Sequence, residues 1–176
     1  DLQTNQKIGF EALIRWPNMK NQFVPDEFIP IAEKNSDIHA IGEWVIDRAI
    51  RQISNWQKRH AKDRFVAINI SPVQLQNHTI TEYLINRAEA YSVNPQNIVL
   101  EITETALFEK EVEIKRSIET LSDYGFLISL DDFGVGYSSI SHLIEYPISI
   151  VKLDKSLFQT EEGEQKRKAV FEALAE

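Results

Sequence analysis

Short apolar, β-branched runs alternate with longer stretches of helical periodicity from one end of the chain to the other. The runs at residues 8–14, 65–70, 98–103, 126–130 and 148–153 read as buried strands. Pro25-Asp26-Glu27 opens a helix, with Pro at the first helical position and acids in the first turn, where the helix dipole favours them. The next helix is predicted over 41–60, because Val45, Ala49, Ile53 and Trp56 recur at spacings of three and four while Arg48, Arg51, Gln52 and Lys58 fall mostly elsewhere. Residues 79–91, 109–124, 138–145 and 161–176 supply further helical stretches, and Tyr124-Gly125 is a plausible stop before the following strand.

This order implies a mainly parallel sheet, either open and doubly wound or closed as a barrel. Side chains two apart share a strand face. The sets are Glu11, Leu13 and Arg15; Phe65, Ala67 and Asn69; Val99, Glu101 and Thr103; Leu127, Ser129 and Asp131; Ile150, Lys152 and Asp154. Each strand brings polar groups to its late positions. A (β/α) barrel builds its chemistry at that end of its strands, whereas an open sheet would gather such groups near one switch point, so a TIM-like barrel is the preferred reading.

Composition narrows the chemistry. The 176 residues are 43% hydrophobic, enough apolar material for one globular domain over 1–176. A net charge of -8 argues against a broad footprint for duplex nucleic acid, and a phosphate ligand would need cations that a carboxylate cluster can hold. The absence of Cys excludes disulfides and thiolate zinc sites and suits a reducing, cytoplasmic setting. No apolar run approaches the ~20 residues of a membrane span, and Asp1-Leu2-Gln3-Thr4 lacks signal-peptide features, although the parent chain could still be anchored elsewhere.

Several polar residues stand where apolar ones are expected. Glu11 must neutralise or find a cation, and Arg15, two pleats away on the same face, is one candidate partner. Asn69 offers a neutral oxygen suited to Mg²⁺ or Mn²⁺, or else a helix cap, though Ser71 and Pro72 are better placed to start the next helix. Glu101 and Glu104 fall on opposite faces, and Glu104 could simply charge a helix N-terminus. Asp131-Asp132, followed by Gly134 and Gly136, can point two carboxylates different ways and serve two metals ~3.5–4 Å apart, or form an Asx-capped turn. Lys152, mid-strand, needs anionic company that Asp154 could provide. His39, His60, His78 and His142 lack metal-ligand spacing and read as solvated or helix-surface residues. Trp16, Trp44 and Trp56 read as packing residues, with Trp16 near enough to the mouth to line a pocket.

Glu11-Ala12-Leu13-Ile14-Arg15-Trp16, Asn69-Ile70-Ser71, Glu101-Ile102-Thr103-Glu104, Asp131-Asp132-Phe133-Gly134-Val135-Gly136-Tyr137-Ser138-Ser139 and Val151-Lys152-Leu153-Asp154 occur in this order. Together with Pro25-Asp26-Glu27-Phe28-Ile29-Pro30, they resemble the signature of the EAL family over nearly the whole chain. The resemblance implies a metal-dependent hydrolase that opens cyclic di-GMP to linear pGpG, with Glu11, Asn69, Glu101, Asp131 and Asp132 holding two Mg²⁺ or Mn²⁺ ions and Ca²⁺ inhibiting. It implies that Leu13 and Arg15 bind substrate and that Lys152 acts at the scissile phosphate, with Asp154 orienting it and Glu104 bracing the loop of the second metal. It also implies a homodimer and a fused sensor or GGDEF domain in the parent protein. Val135 departs from the Thr most often found there. The family's first strand, with Gln-Pro-Ile, and its last strands, with Ala-Glu-Gly-Val-Glu and Gln-Gly, have no counterpart in 1–176, so an incomplete barrel, inactive alone, is expected. Two other readings are a receptor that binds cyclic di-GMP without cleaving it and a Schiff-base aldolase using Lys152, which would need no metal.

Overall fold

The computed structural model describes residues 1–17, 23–59, 64–103, 107, 112–134 and 145–155. Five parallel strands, β1 (Gly9–Ala12), β2 (Phe65–Asn69), β3 (Ile98–Thr103), β4 (Leu127–Phe133) and β5 (Ile150–Leu153), lie side by side in sequence order. They form half of a (β/α) barrel. The connecting helices are α1 (Pro25–Lys34), α2 (Ile38–Lys58), α3 (Pro72–Leu75), α4 (His78–Ala90) and α5 (Val112–Tyr124).

The helices bury one stripe each against the sheet. In α2 the stripe is Ile46, Ala49, Ile50 and Ile53, and it meets Val66 and Ile68 of β2, Leu84 of α4 and Ile118 of α5 in one continuous core. Each such side chain contributes about 1.5–3 kcal/mol by leaving water. Because β3 is buried along nearly its whole length, it reads as an unbroken apolar run interrupted only by Glu101. The predicted strands are all present.

Their limits differ from expectation in instructive places. β1 stops at Ala12, so Leu13 and Arg15 leave the sheet rather than extending the Glu11 face. β4 continues through Asp131 and Asp132 to Phe133. The second helix starts at Ile38, not Ile41, since the Ile38 side chain is buried and its carbonyl accepts from Gln74 Nε2 at 3.1 Å. Two short elements escaped the periodicity argument because each is less than two turns long: α3, capped by Ser71, and a 3₁₀ turn at Pro95–Asn97, capped by Asn94. The helices expected at 138–145 and 161–176 lie outside the described residues, except for Glu145.

Candidate active site

Strand register sets the first layer of geometry. Asn69 ends β2 beside Glu101 of β3, and Glu101 lies beside Ser129 of β4. Thr103 pairs with Asp131 one step further along. At β5 the register shifts: Leu130 faces Val151 and Phe133 faces Leu153, so Asp131 and Asp132 together stand opposite Lys152 alone. That is a bulge, and bulges re-aim side chains where a site needs them. Asp132 adopts φ 57°, a left-handed backbone uncommon outside Gly, Asn and Asp, and Gly134 follows at φ 104°.

The side chains then converge on one cation. Lys152 Nζ lies 3.0 Å from Glu101 Oε1, 3.0 Å from Asp131 Oδ2 and 3.9 Å from Glu11 Oε2. Asn69 Nδ2 donates to Glu11 Oε1 at 2.9 Å, and the Asp132 N–H donates to Asp131 Oδ1 at 3.0 Å. Four strands thus deliver acids or an amide to one point, and the fifth delivers the ammonium. The alternative in which Glu11 pairs with Arg15 is not what the chain does: Arg15 Nη1 donates to the Ile14 carbonyl at 2.7 Å, and the cation near Glu11 is Lys152. Physically, β1 ends before Arg15, so the shared face is lost.

Burial pushes the Glu101 carboxyl above the usual carboxylate range, against the opposing pull of Lys152; Glu11 and Asp131 push it up further. Asp132 is raised for the same first reason, with Asp131 and Asp154 adding repulsion. Burial is also the largest single effect on Lys152 and lowers it, but the bonds from Glu101 and Asp131 together outweigh burial and hold the ammonium above its ordinary value.

A cavity of about 520 Å³ opens over this cluster and is lined by Glu11, Leu13, Arg15, Asn69, Glu101 and Thr103 together with Pro25 and Asp26 of α1. A larger cavity of about 820 Å³ lies to one side, between Trp16, Phe23, Phe28 and Trp44, and shares Ile14, Arg15 and Ile41 with the first. The smaller of these two is the candidate site, because Glu11, Asn69 and Glu101 line it and the larger has none of the converging groups. Trp56 packs on the core as expected. Trp16 and Trp44 are half-exposed and wall the larger cavity; lining a pocket was expected of Trp16, and for Trp44 the packing reading is incomplete. His39 lies on α2 and His78 is exposed at the start of α4, away from the acids. Glu104, Val135, His60 and His142 lie outside the described residues. Asp154 follows β5, its N–H donating to the Phe133 carbonyl at 3.2 Å.

Sequence reasoning missed the brace behind Asn69. Ser71 Oγ donates to Glu33 Oε1 of α1 at 2.6 Å and accepts from the Val73 N–H. Gln74, buried, accepts from the Ser71 N–H and donates to the Ile38 carbonyl, with its amide lying against the bare Cα of Gly42. The signal was available: Ser-Pro-x-Gln after a strand is a capping box, which ties down the turn carrying Asn69.

The sequence profile of the EAL domain matches residues 1–176. The chain belongs to the EAL domain family. It is 33% identical over 175 residues to cyclic di-GMP phosphodiesterase PA2567 of Pseudomonas aeruginosa, covering 99% of this chain and 30% of that protein. It is 32% identical over 173 residues to the oxygen sensor protein DosP of Escherichia coli K12, covering 98% of this chain and 22% of that protein. The chain therefore spans less than a third of the length of these curated relatives. Among solved structures, the PaMucR phosphodiesterase in complex with c-di-GMP superposes with a TM-score of 0.87 at 33% identity, over 94% of this chain and 69% of that one.

In this EAL domain the Glu-Ala-Leu triplet that names the family is Glu11-Ala12-Leu13, at the end of β1. Its donor set is all oxygen, the set that hard divalent ions take. Glu101 Oε1 and Asp131 Oδ2 already share one cationic group, and Glu101 Oε2 is buried without a partner, so the cluster has acceptor capacity to spare. As the side chains stand, no group of three or more acids among the described residues is close enough to cage an ion, because the Lys152 ammonium occupies the space between them. The donors are of the chemical type that hard divalent ions take. No helix among the described residues is long and apolar enough to cross a membrane.

Proposed function

We propose that this EAL domain hydrolyses cyclic di-GMP to linear pGpG. The observation that carries this reading is the convergence of Glu11, Asn69, Glu101 and Asp131, from four strands, around a single cationic point, with the first three lining a cavity. Relatives bearing the phosphodiesterase name, and a superposable phosphodiesterase bound to c-di-GMP, support the substrate.

Glu11, Asn69, Glu101, Asp131 and Asp132 would hold two Mg²⁺ or Mn²⁺ ions. When bound, such ions neutralise phosphate charge and lower the pKa of a water to near neutrality. Arg15, free of any carboxylate partner among the described residues, offers a planar fork to two phosphate oxygens. Leu13, half exposed at the cavity wall, packs against the ligand. One water is consumed and one P–O3′ bond breaks, leaving the phosphate on the 5′ side. Lys152 donates to the phosphoryl oxygens as their charge grows, an interaction worth most in the transition state. Asp154 orients Lys152, and Glu104 braces the loop after β3. Ca²⁺, larger and looser in coordination, would displace the working ions without supporting turnover. A homodimer and a fused sensor or GGDEF domain complete the reading for the parent protein.

The test is hydrolysis by the intact protein with Mg²⁺, Mn²⁺ or Ca²⁺, the linear product being separated from the cyclic substrate. Turnover with the first two, and its loss in excess chelator, is expected. Full activity in chelator would overturn the metal assignment. Tight binding without turnover under any metal would replace the enzyme with a receptor.

A further inference from the structure

β3 and β4 run in register, so Glu101 and Ser129 are lateral neighbours whose side chains leave the sheet on the same face. Glu101 is 5% exposed and Ser129 0%. Each carries an orphan: Glu101 Oε2 and Ser129 Oγ are both buried with no hydrogen-bond partner. One is an acceptor and the other brings a donor. Two complementary orphans on adjacent strands point to a missing bond between them, since buried polar groups are almost always paired.

The neighbouring groups are already engaged elsewhere. Lys152 bonds Glu101 through Oε1, not Oε2. Asn69, the lateral neighbour of Glu101 on the other side, turns its amide nitrogen to Glu11. Across β4, Ser129 faces Ile150, whose side chain offers no acceptor. Two residues further along β4, Asp131 has Oδ1 held by the Asp132 N–H and Oδ2 by Lys152.

We infer that Ser129 is a positioning residue for Glu101. Its hydroxyl donates to Oε2, either after rotation about χ1 or through one buried water, and so holds Oε1 turned toward the mouth. A carboxylate that gives one oxygen to a divalent ion keeps its orientation when its other oxygen is hydrogen-bonded, and loss of such a partner weakens metal affinity by about 10–100-fold. The inference rests on the metal-binding reading above. It differs from plain packing, in which Ser129 is small only because the space is small.

The test uses the intact protein, metal-stripped, with Mn²⁺ binding followed by electron paramagnetic resonance of the free ion and thermal unfolding measured in chelator. Ser129→Ala should weaken Mn²⁺ binding about tenfold and lower the metal-free Tm, because the buried Glu101 Oε2 loses its donor. Ser129→Cys, which keeps a weak donor, should fall between Ala and wild type. Wild-type affinity in Ser129→Ala would overturn the inference with the metal reading intact. Mn²⁺ binding in Ser129→Cys no stronger than in Ser129→Ala would assign the hydroxyl to packing and also overturn it. Failure of the wild type to bind Mn²⁺ would defeat the metal reading, and the inference with it.

Discussion

Replacing Lys152 with Met should make the metal-free domain less stable and its metal affinity higher. Methionine keeps the length of the side chain and removes the ammonium. The ammonium makes two 3.0 Å contacts, to Glu101 and Asp131, and lies 3.9 Å from Glu11. Breaking a buried ion pair costs about 3–5 kcal/mol because the remaining charge is stranded. Here the Lys152 side chain is 35% exposed while that of Glu101 is 4% exposed, so solvent screens one end of the pair and not the other. A loss of about 2 kcal/mol is the discounted expectation, a fall in Tm of about 4–8 °C for a chain of this size. Mn²⁺ should then bind more tightly, since no resident cation has to be displaced, and should raise Tm by more than it does in the wild type. Turnover should fall sharply, because the group that answers the growing phosphoryl charge is gone. The measurements are thermal unfolding in chelator, an Mn²⁺ titration and a steady-state assay. Unchanged metal-free stability, or weaker Mn²⁺ binding in the variant, would show that Lys152 does not stand in for a metal ion.

Arg15→Ala should raise KM by an amount equivalent to about 1.5–3 kcal/mol with little change in kcat, and should leave Tm alone because among the described residues it bonds only the Ile14 carbonyl; an unchanged KM with a vanished kcat would reverse the assigned role. Glu11→Ala should abolish turnover while Asn69 loses its acceptor, and residual activity within tenfold of wild type would exclude Glu11 from the metal site. Asp132→Gly should raise metal-free Tm, by removing about 1 kcal/mol of left-handed strain and a carboxylate crowded by Asp131 and Asp154, yet lower activity; a lower Tm would mean that the bulge depends on the side chain. Gly42→Ala should destabilise by about 1–3 kcal/mol because a Cβ there meets the Gln74 amide, and unfolding by urea would show it.

The pattern of residues by itself determined the architecture. Five apolar runs separated by helical periodicity allow little but a parallel β/α sheet, and their polar late positions name the end at which chemistry occurs. Glu11, Asn69, Glu101, Asp131 and Lys152 were each visible as a polar residue in an apolar run, since burying such a group without a partner costs too much to be accidental. Which partner each one takes was not visible. Strand periodicity put Arg15 on the face of Glu11, but spacing knows nothing of where a strand stops or which strand lies beside it. β1 ends at Ala12, and the bulge between β4 and β5 sets Asp131 and Asp132 against Lys152. Those two facts bring the ammonium to Glu101 and Asp131 across contacts separated by 51 and 21 residues in sequence. Likewise Glu101 and Ser129, each with a buried unpaired atom, are lateral neighbours only because β3 and β4 run in register. Local sequence governs hydrogen bonds along the chain and the face each side chain prefers; lateral register and bulges come from packing the whole sheet, and the geometry of the site depends on them.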